Sequence, residues 1–210
     1  MSNIIDFWRN EWTSAANTDE LFDSPEPQSG GDPSLNYNTI LGNWPKNEDG
    51  DDDKPATEVF SSLFGSKYNP STQLLDLGNG QTVLLNNACA TRASIAFLLS
   101  GISIPQKYWD FVASQGEIKN KGFITTAAKF LTYAKTPSAL GMPNKEIKQP
   151  STLSEIQKVI GGKTGLYLML PDSASAFGAS GHVGLWTGYG VLGGHDYASS
   201  AKVVYFWELK

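Results

Sequence analysis

Apolar side chains recur at helical spacing through the first three quarters of the chain, then give way to short β-branched and aromatic runs separated by turns. Ile4, Ile5, Phe7, Trp8 and Trp12 predict an amphipathic helix over residues 3–15, and the proline- and glycine-rich residues 24–33 predict an irregular connection. Tyr37, Ile40, Leu41 and Trp44 keep helical spacing up to Pro45, and another short helix is expected over 58–63. Asn79-Gly80 is a hairpin signal between the runs 74–77 and 82–85. A helix is then expected from Cys89, with Ala93, Ala96, Phe97 and Ser100 in helical register and Gly101 able to take the left-handed conformation at its end. Beyond an extended link, a short helix is predicted over 108–112 and a longer one over 122–133, with Phe123, Ala127, Phe130 and Leu131 on one face. A polar, proline-punctuated passage, 136–150, precedes a helix over 151–160 that Ser151 or Thr152 can cap and Gly161-Gly162 ends.

The last fifty residues predict strands over 165–170, 182–187 and 202–209. Their connections are too short for helical crossovers, so antiparallel pairing in a meander is expected. Helices followed by a small antiparallel sheet make an α+β fold.

At 210 residues and 40% hydrophobic, the chain suits one domain with appendages. No run of eighteen apolar residues is present, so no membrane span is expected, and the N-terminus lacks the basic and apolar regions of a secretory signal. The net charge of −5 is uneven: residues 1–60 carry −10 and the remainder +5. There is no Lys/Arg patch interleaved with aromatics, which argues against nucleic-acid binding. The sharpest charge run, Lys46 to Lys54, holds adjacent acids instead of the alternating ligands of a calcium loop, and a solvated loop or insertion is the simpler reading.

The chain has one cysteine and two histidines, His182 and His195. No intrachain disulfide can form, and a Cys/His zinc site is poorly supplied. Asn86 and Asn87 stand where a cap for the Cys89 helix is sought, which would set the thiol in a first turn that favours the thiolate. A small buried hydrophobe is the plainer alternative for Cys89. In the 182–187 strand, alternation puts His182, Gly184 and Trp186 on one side and Val183 and Leu185 on the other, so His182 begins a strand on a face kept open by glycine. A cysteine at a helix start and a histidine at a strand start is the pairing cysteine peptidases use, although a structural histidine also fits. His195, in a turn, is expected to be exposed.

Two motifs carry a resemblance. Asn87-Ala88-Cys89-Ala90-Thr91-Arg92, followed by Ser94, and Gly181-His182-Val183-Gly184-Leu185-Trp186-Thr187-Gly188 together resemble the fourth family of type VI secretion amidase effectors, over residues 37–209. The resemblance implies a papain-like fold of the NlpC/P60 type in a single amidase domain, 1–210, with an N-terminal extension and acidic loop in about residues 1–60. It implies a cysteine amidase that cuts peptidoglycan stem peptides between D-glutamate and meso-diaminopimelate, needing no cofactor or metal. A cognate immunity protein and a secretion apparatus are the implied partners, and the periplasm of a target bacterium is the implied site of action. By position, Cys89 is the nucleophile and His182 the base; Asp196 matches the family's aspartate, a few residues further along than usual. Arg92 is read as a buried structural charge or a ligand for a substrate carboxylate. The backbone N–H of Cys89 is the expected oxyanion donor. A cysteine hydrolase or acyltransferase acting on another substrate, and a non-catalytic binding module, are the alternatives.

Overall fold

The computed structural model describes residues 35–210; the helix expected over 3–15 and the connection at 24–33 lie outside the described residues. Helix α1, Tyr37–Asn43, is capped by the Asn36 side chain, which accepts from Asn38 N and Thr39 N. Helix α2 spans Ala56–Phe64 and is followed by the short strand β1, Tyr68–Asn69. Strands β2, Leu74–Gly78, and β3, Gln81–Leu84, form the expected hairpin. Asn79 and Gly80 both have positive φ at its tip, as a tight two-residue turn requires.

Helix α3, Cys89–Leu99, runs through the middle of the molecule and is buried from Cys89 to Phe97. Tyr37 and Ile40 of α1 pack with its Ala90, Ala93, Ala96 and Phe97, and Val59, Phe60 and Leu63 of α2 lie in a second cluster with Ile95. The short helix expected over 108–112 is absent. A 3-10 turn, Gln106–Tyr108, leads into strand β4, Phe111–Val112, which pairs with β5, Gly122–Phe123. Trp109 decides this, because its indole N–H donates to Ile104 O and its ring covers Gly122. The following helix is accordingly shorter than its apolar spacing suggested: α4 spans Ala127–Ala134.

The main sheet has the order β6-β9-β7-β8, with every neighbouring pair antiparallel. Its strands are β6, Lys145–Lys148, β7, Thr164–Pro171, β8, His182–Thr187, and β9, Ala201–Glu208. The connectivity departs from a meander. The last strand returns to β7 instead of β8, so β7 is central and β8, the histidine strand, is an edge. Helix α5, Leu153–Ile160, has the predicted cap, with Glu155 N bonded to Thr152 Oγ1 and Ser151 N to the Glu155 carboxylate. A four-residue helix, α6, Ala174–Phe177, interrupts the connection between β7 and β8.

Strand alternation then sorts two cores. Leu166, Leu168, Val183 and Leu185 face α3 and α4, while Tyr167, Met169, Trp186 and Val204 face the side covered by Ile156 and Ile160 of α5. The start of α3 is thereby pressed against the start of β8.

Candidate active site

Cys89 is the first residue of α3 and is 3% exposed. The N-cap position is Ala88, which has no side chain to offer, and Asn87 does the work from one residue earlier: its Oδ1 accepts the Cys89 N–H at 3.1 Å. Cys89 Sγ donates to Gly181 O at 3.8 Å, and the backbone N–H groups of Val183 and Ala90 point to the sulfur. The thiol thus sits on the backbone at either side of His182. Position 181 requires glycine, since a Cβ there would lie 2.5 Å from Met169 O and its φ is +150°.

The electrostatic expectation for Cys89 is corrected. Burial pushes the thiol pKa up, and this outweighs the two N–H groups and Arg92, which lower it. In the resting arrangement the sulfur is a neutral thiol.

His182 is 6% exposed. Its ring is set among aromatic neighbours, with centroids 4.9 Å from Tyr197, 5.7 Å from Tyr167 and 6.1 Å from His195. Burial first, then His195 and Arg92, lower its pKa from 6.5 to about 3, so the imidazole is neutral and able to accept a proton. The face expected to be open is filled: a Cβ on Gly184 would meet the Tyr167 hydroxyl at 2.6 Å. Among the described residues the His182 ring makes no hydrogen bond, and the thiol proton goes to Gly181 O instead of the imidazole.

That depressed pKa has a consequence for stability. Between pH 6.5 and about 3 the unfolded chain holds a proton on residue 182 that the folded chain does not, so acid favours unfolding. Stability is expected to fall through this window by up to about 1.4 kcal/mol per pH unit from this group. Urea titrations of the wild type and His182→Gln between pH 7 and 4 check it, and the variant should show the shallower decline.

Asp196 is exposed, and its Oδ1 accepts from Ala198 N at 2.9 Å, holding the turn Ala198–Ser200. The structure does not bring its carboxylate onto the His182 ring. Its segment nevertheless supplies two of the ring's neighbours, His195 and Tyr197. His195 is 38% exposed at its side chain and pairs with Asp52, Nε2 to Oδ1, at 3.3 Å.

The acidic run is more than a solvated loop. Asn47 Oδ1 gathers the N–H groups of Gly50, Asp51 and Asp52, folding the run so that its last two acids diverge. Asp52 meets His195, and Asp53 is bound to Arg92 Nη1 at 3.2 Å and to Trp44 Nε1 at 2.8 Å. Arg92 also donates through Nε and Nη2 to Lys54 O, at 2.8 and 2.6 Å. Nε, Nη1 and Nη2 each bond inside the protein, which supports the structural reading of Arg92 over a ligand for a substrate carboxylate. Ser94 Oγ accepts from Ile124 N and faces Ile124 O, tying α3 to the segment after β5. Asp52, Asp53 and Tyr167 are the site residues that sequence reasoning missed. The acids were hidden by their adjacency in a polar run, and Tyr167 by its place in an otherwise apolar strand.

Among the described residues, no group of three or more His, Cys, Asp or Glu side chains could hold a metal ion, and no helix is long and apolar enough to cross a membrane. A thiol at a helix start, seated on the backbone around a buried imidazole at a strand start, has the groups that nucleophilic acyl transfer needs.

A family model described as type VI secretion system (T6SS), amidase effector protein 4, matches residues 85–207, a span that includes Cys89, His182 and Asp196. No curated protein matches the chain. Among solved structures, the type VI effector Tae4 from Enterobacter cloacae is similar at 20% identity and a TM-score of 0.59, covering 83% of this chain and 96% of its own. The Tae4–Tai4 effector–immunity complex from Salmonella Typhimurium is similar at 20% identity and a TM-score of 0.57, covering 83% and 98%. Tae4 of the Enterobacter cloacae effector–immunity complex gives 20% and 0.55, covering 84% and 96%. The shared architecture is the papain-like α+β fold expected from the two motifs.

Proposed function

This chain belongs to the type VI secretion system amidase effector protein 4 family, and on that premise we propose that it is a cysteine amidase cutting the γ-D-glutamyl to meso-diaminopimelate bond of peptidoglycan stem peptides. The observation that carries the reading is the seating of the only cysteine against the backbone on both sides of His182, with each group in its neutral form.

In this mechanism a rotation of the Cys89 side chain carries its proton from Gly181 O to the imidazole. Catalytic hydrogen bonds of this kind commonly tighten only when substrate binds. The sulfur attacks the D-glutamyl side-chain carbonyl as His182 takes the proton. His182 then returns it to the departing diaminopimelate nitrogen, leaving a thioester that water, deprotonated by the same imidazole, hydrolyses. The Cys89 N–H serves the oxyanion. It is held by Asn87 Oδ1 at rest, and the developing charge displaces that weaker acceptor. One such donor is worth about 2.7–4 kcal/mol of barrier. Asp196 takes the third place, supplying negative charge from the rim of the site on the segment that seats Tyr197 against the ring.

The protein acts in the periplasm of a target bacterium after delivery by a type VI apparatus, and a cognate immunity protein restrains it in the producing cell. The similar Tae4 chains crystallised with Tai4 support that partner.

Purified peptidoglycan containing diaminopimelate, digested with the protein and resolved by chromatography and mass spectrometry, tests the bond assignment. Expected are fragments ending in D-glutamate together with partners beginning at a free diaminopimelate amine. Cleavage elsewhere in the stem or cross-link, or no cleavage by folded protein, overturns it.

A further inference from the structure

Tyr167 lies at the middle of β7, directly opposite Gly184 of β8. Its ring shares a face with His182 and Trp186, which stand two residues to either side of that glycine. The phenol therefore occupies a slot between an imidazole and an indole, with centroids 5.7 Å and 6.1 Å away. Among the described residues its buried hydroxyl has no hydrogen-bond partner; nor has Trp186 Nε1. Buried polar atoms are nearly always bonded, and an unpaired one destabilises the fold. Phenylalanine would fill the same volume without that cost, so packing alone does not account for the oxygen.

The ionisable groups that act on the phenol are Asp53 of the acidic loop, Cys89 of α3, and Tyr197 and Asp196 of the segment after β8, while the titratable ring in contact with it is His182. Burial first, then the Asp53 carboxylate, with Cys89, Tyr197 and Asp196 adding to it when ionised, raise the Tyr167 pKa well above its usual range, so the hydroxyl stays protonated and keeps its lone pairs for a donor. The strongest donor that could arise beside it is a charged His182.

We propose that Tyr167 is a positioning residue for His182: its hydroxyl accepts the second N–H of the imidazolium formed when Cys89 gives up its proton, directly or through one buried water. The proton passes from Sγ to one ring nitrogen, the other N–H is donated to Tyr167, and no covalent bond to the tyrosine forms or breaks. Asp196 then acts at longer range while Tyr167 makes the short contact. The inference rests on His182 as the base and not on peptidoglycan as the substrate.

Tyr167→Phe in the full chain tests it, read by the rate of iodoacetamide alkylation of Cys89 against pH, which needs no peptidoglycan. Loss of a hydrogen bond to a charged group should move the alkylation midpoint up by about one pH unit and slow the reaction near neutrality by about 10-fold. The melting temperature should stay level or rise, and hydrolysis should lose kcat with KM unchanged. A wild-type alkylation profile in the variant overturns the proposal, whether or not its melting temperature changes. If the profile shifts while wild-type protein leaves peptidoglycan intact, the positioning role stands and the substrate assignment fails.

Discussion

Replacing Cys89 with serine is expected to lower amidase turnover by on the order of 10⁴-fold or more while leaving the protein folded. The substitution changes one atom in a residue that is 3% exposed and makes its side-chain hydrogen bond to Gly181 O, an acceptor a hydroxyl also satisfies. What it removes is the acidity the mechanism needs. His182, with its pKa lowered to about 3, is a weak base. A thiol can give its proton to such a base as attack proceeds, whereas a serine hydroxyl, far less acidic, cannot. Release of soluble fragments from purified peptidoglycan measures the loss, and far-ultraviolet circular dichroism checks the fold. Turnover within 10-fold of wild type would remove Cys89 from the mechanism.

Replacing Arg92 with alanine is expected to cost about 3–5 kcal/mol of stability, the range for breaking a buried ion pair from one side. The guanidinium is 8% exposed as a residue, and its Nε and Nη2 both donate to Lys54 O while Nη1 holds Asp53. Truncation strands the Asp53 carboxylate, whose side chain is 7% exposed, with Trp44 Nε1 as its remaining partner. It also frees the acidic loop from the helix that carries Cys89. Arg92→Lys keeps the charge but cannot make the fork, so a substantial part of the loss should persist. The double variant Arg92→Met with Asp53→Leu should recover much of it, because no unpaired charge is then buried. Urea unfolding near neutral pH measures all three, and a cost below 1 kcal/mol for Arg92→Ala would show that the pair is solvated after all.

The elements that sequence made legible are those whose stabilisation is local or strictly periodic. Thr152 Oγ1 accepts from Glu155 N and the Glu155 carboxylate from Ser151 N at the start of α5, Asn79-Gly80 turns the hairpin, and the two-residue period of β7 and β8 divides Leu166 and Val183 from Tyr167 and Trp186. What escaped depends on distant partners. Trp109 prefers Ile104 O and the surface of Gly122, and so 108–112 is not helical. Strand β6 buries only Ile147 and reads as polar chain until β9 pairs with it. The path of β9 back to β7 cannot be inferred from loop lengths that suit a meander equally well.

The site divides in the same way. Cys89 and His182 were chosen by type and placement, and the seating of the thiol on the backbone around His182 follows from α3 packing on β8. The thiol's depressed acidity was not foreseen, because helix position speaks for the thiolate while the burial that opposes it is tertiary. The acidic run concealed opposite errands for neighbouring residues, Asp52 toward His195 and Asp53 toward Arg92. Gly184 was read as open space because nothing in the chain order announces that Tyr167 fills it.

If hydrolysis runs through the sulfur of Cys89, as proposed, a single cysteine in 210 residues makes the decisive measurement unambiguous. Protein treated with increasing iodoacetamide near neutral pH can be weighed intact by mass spectrometry and assayed on peptidoglycan from the same tube. Residual activity is expected to fall in direct proportion to the fraction of chains carrying one alkyl group, reaching background when all do. Fully alkylated protein that still cleaves peptidoglycan would contradict it.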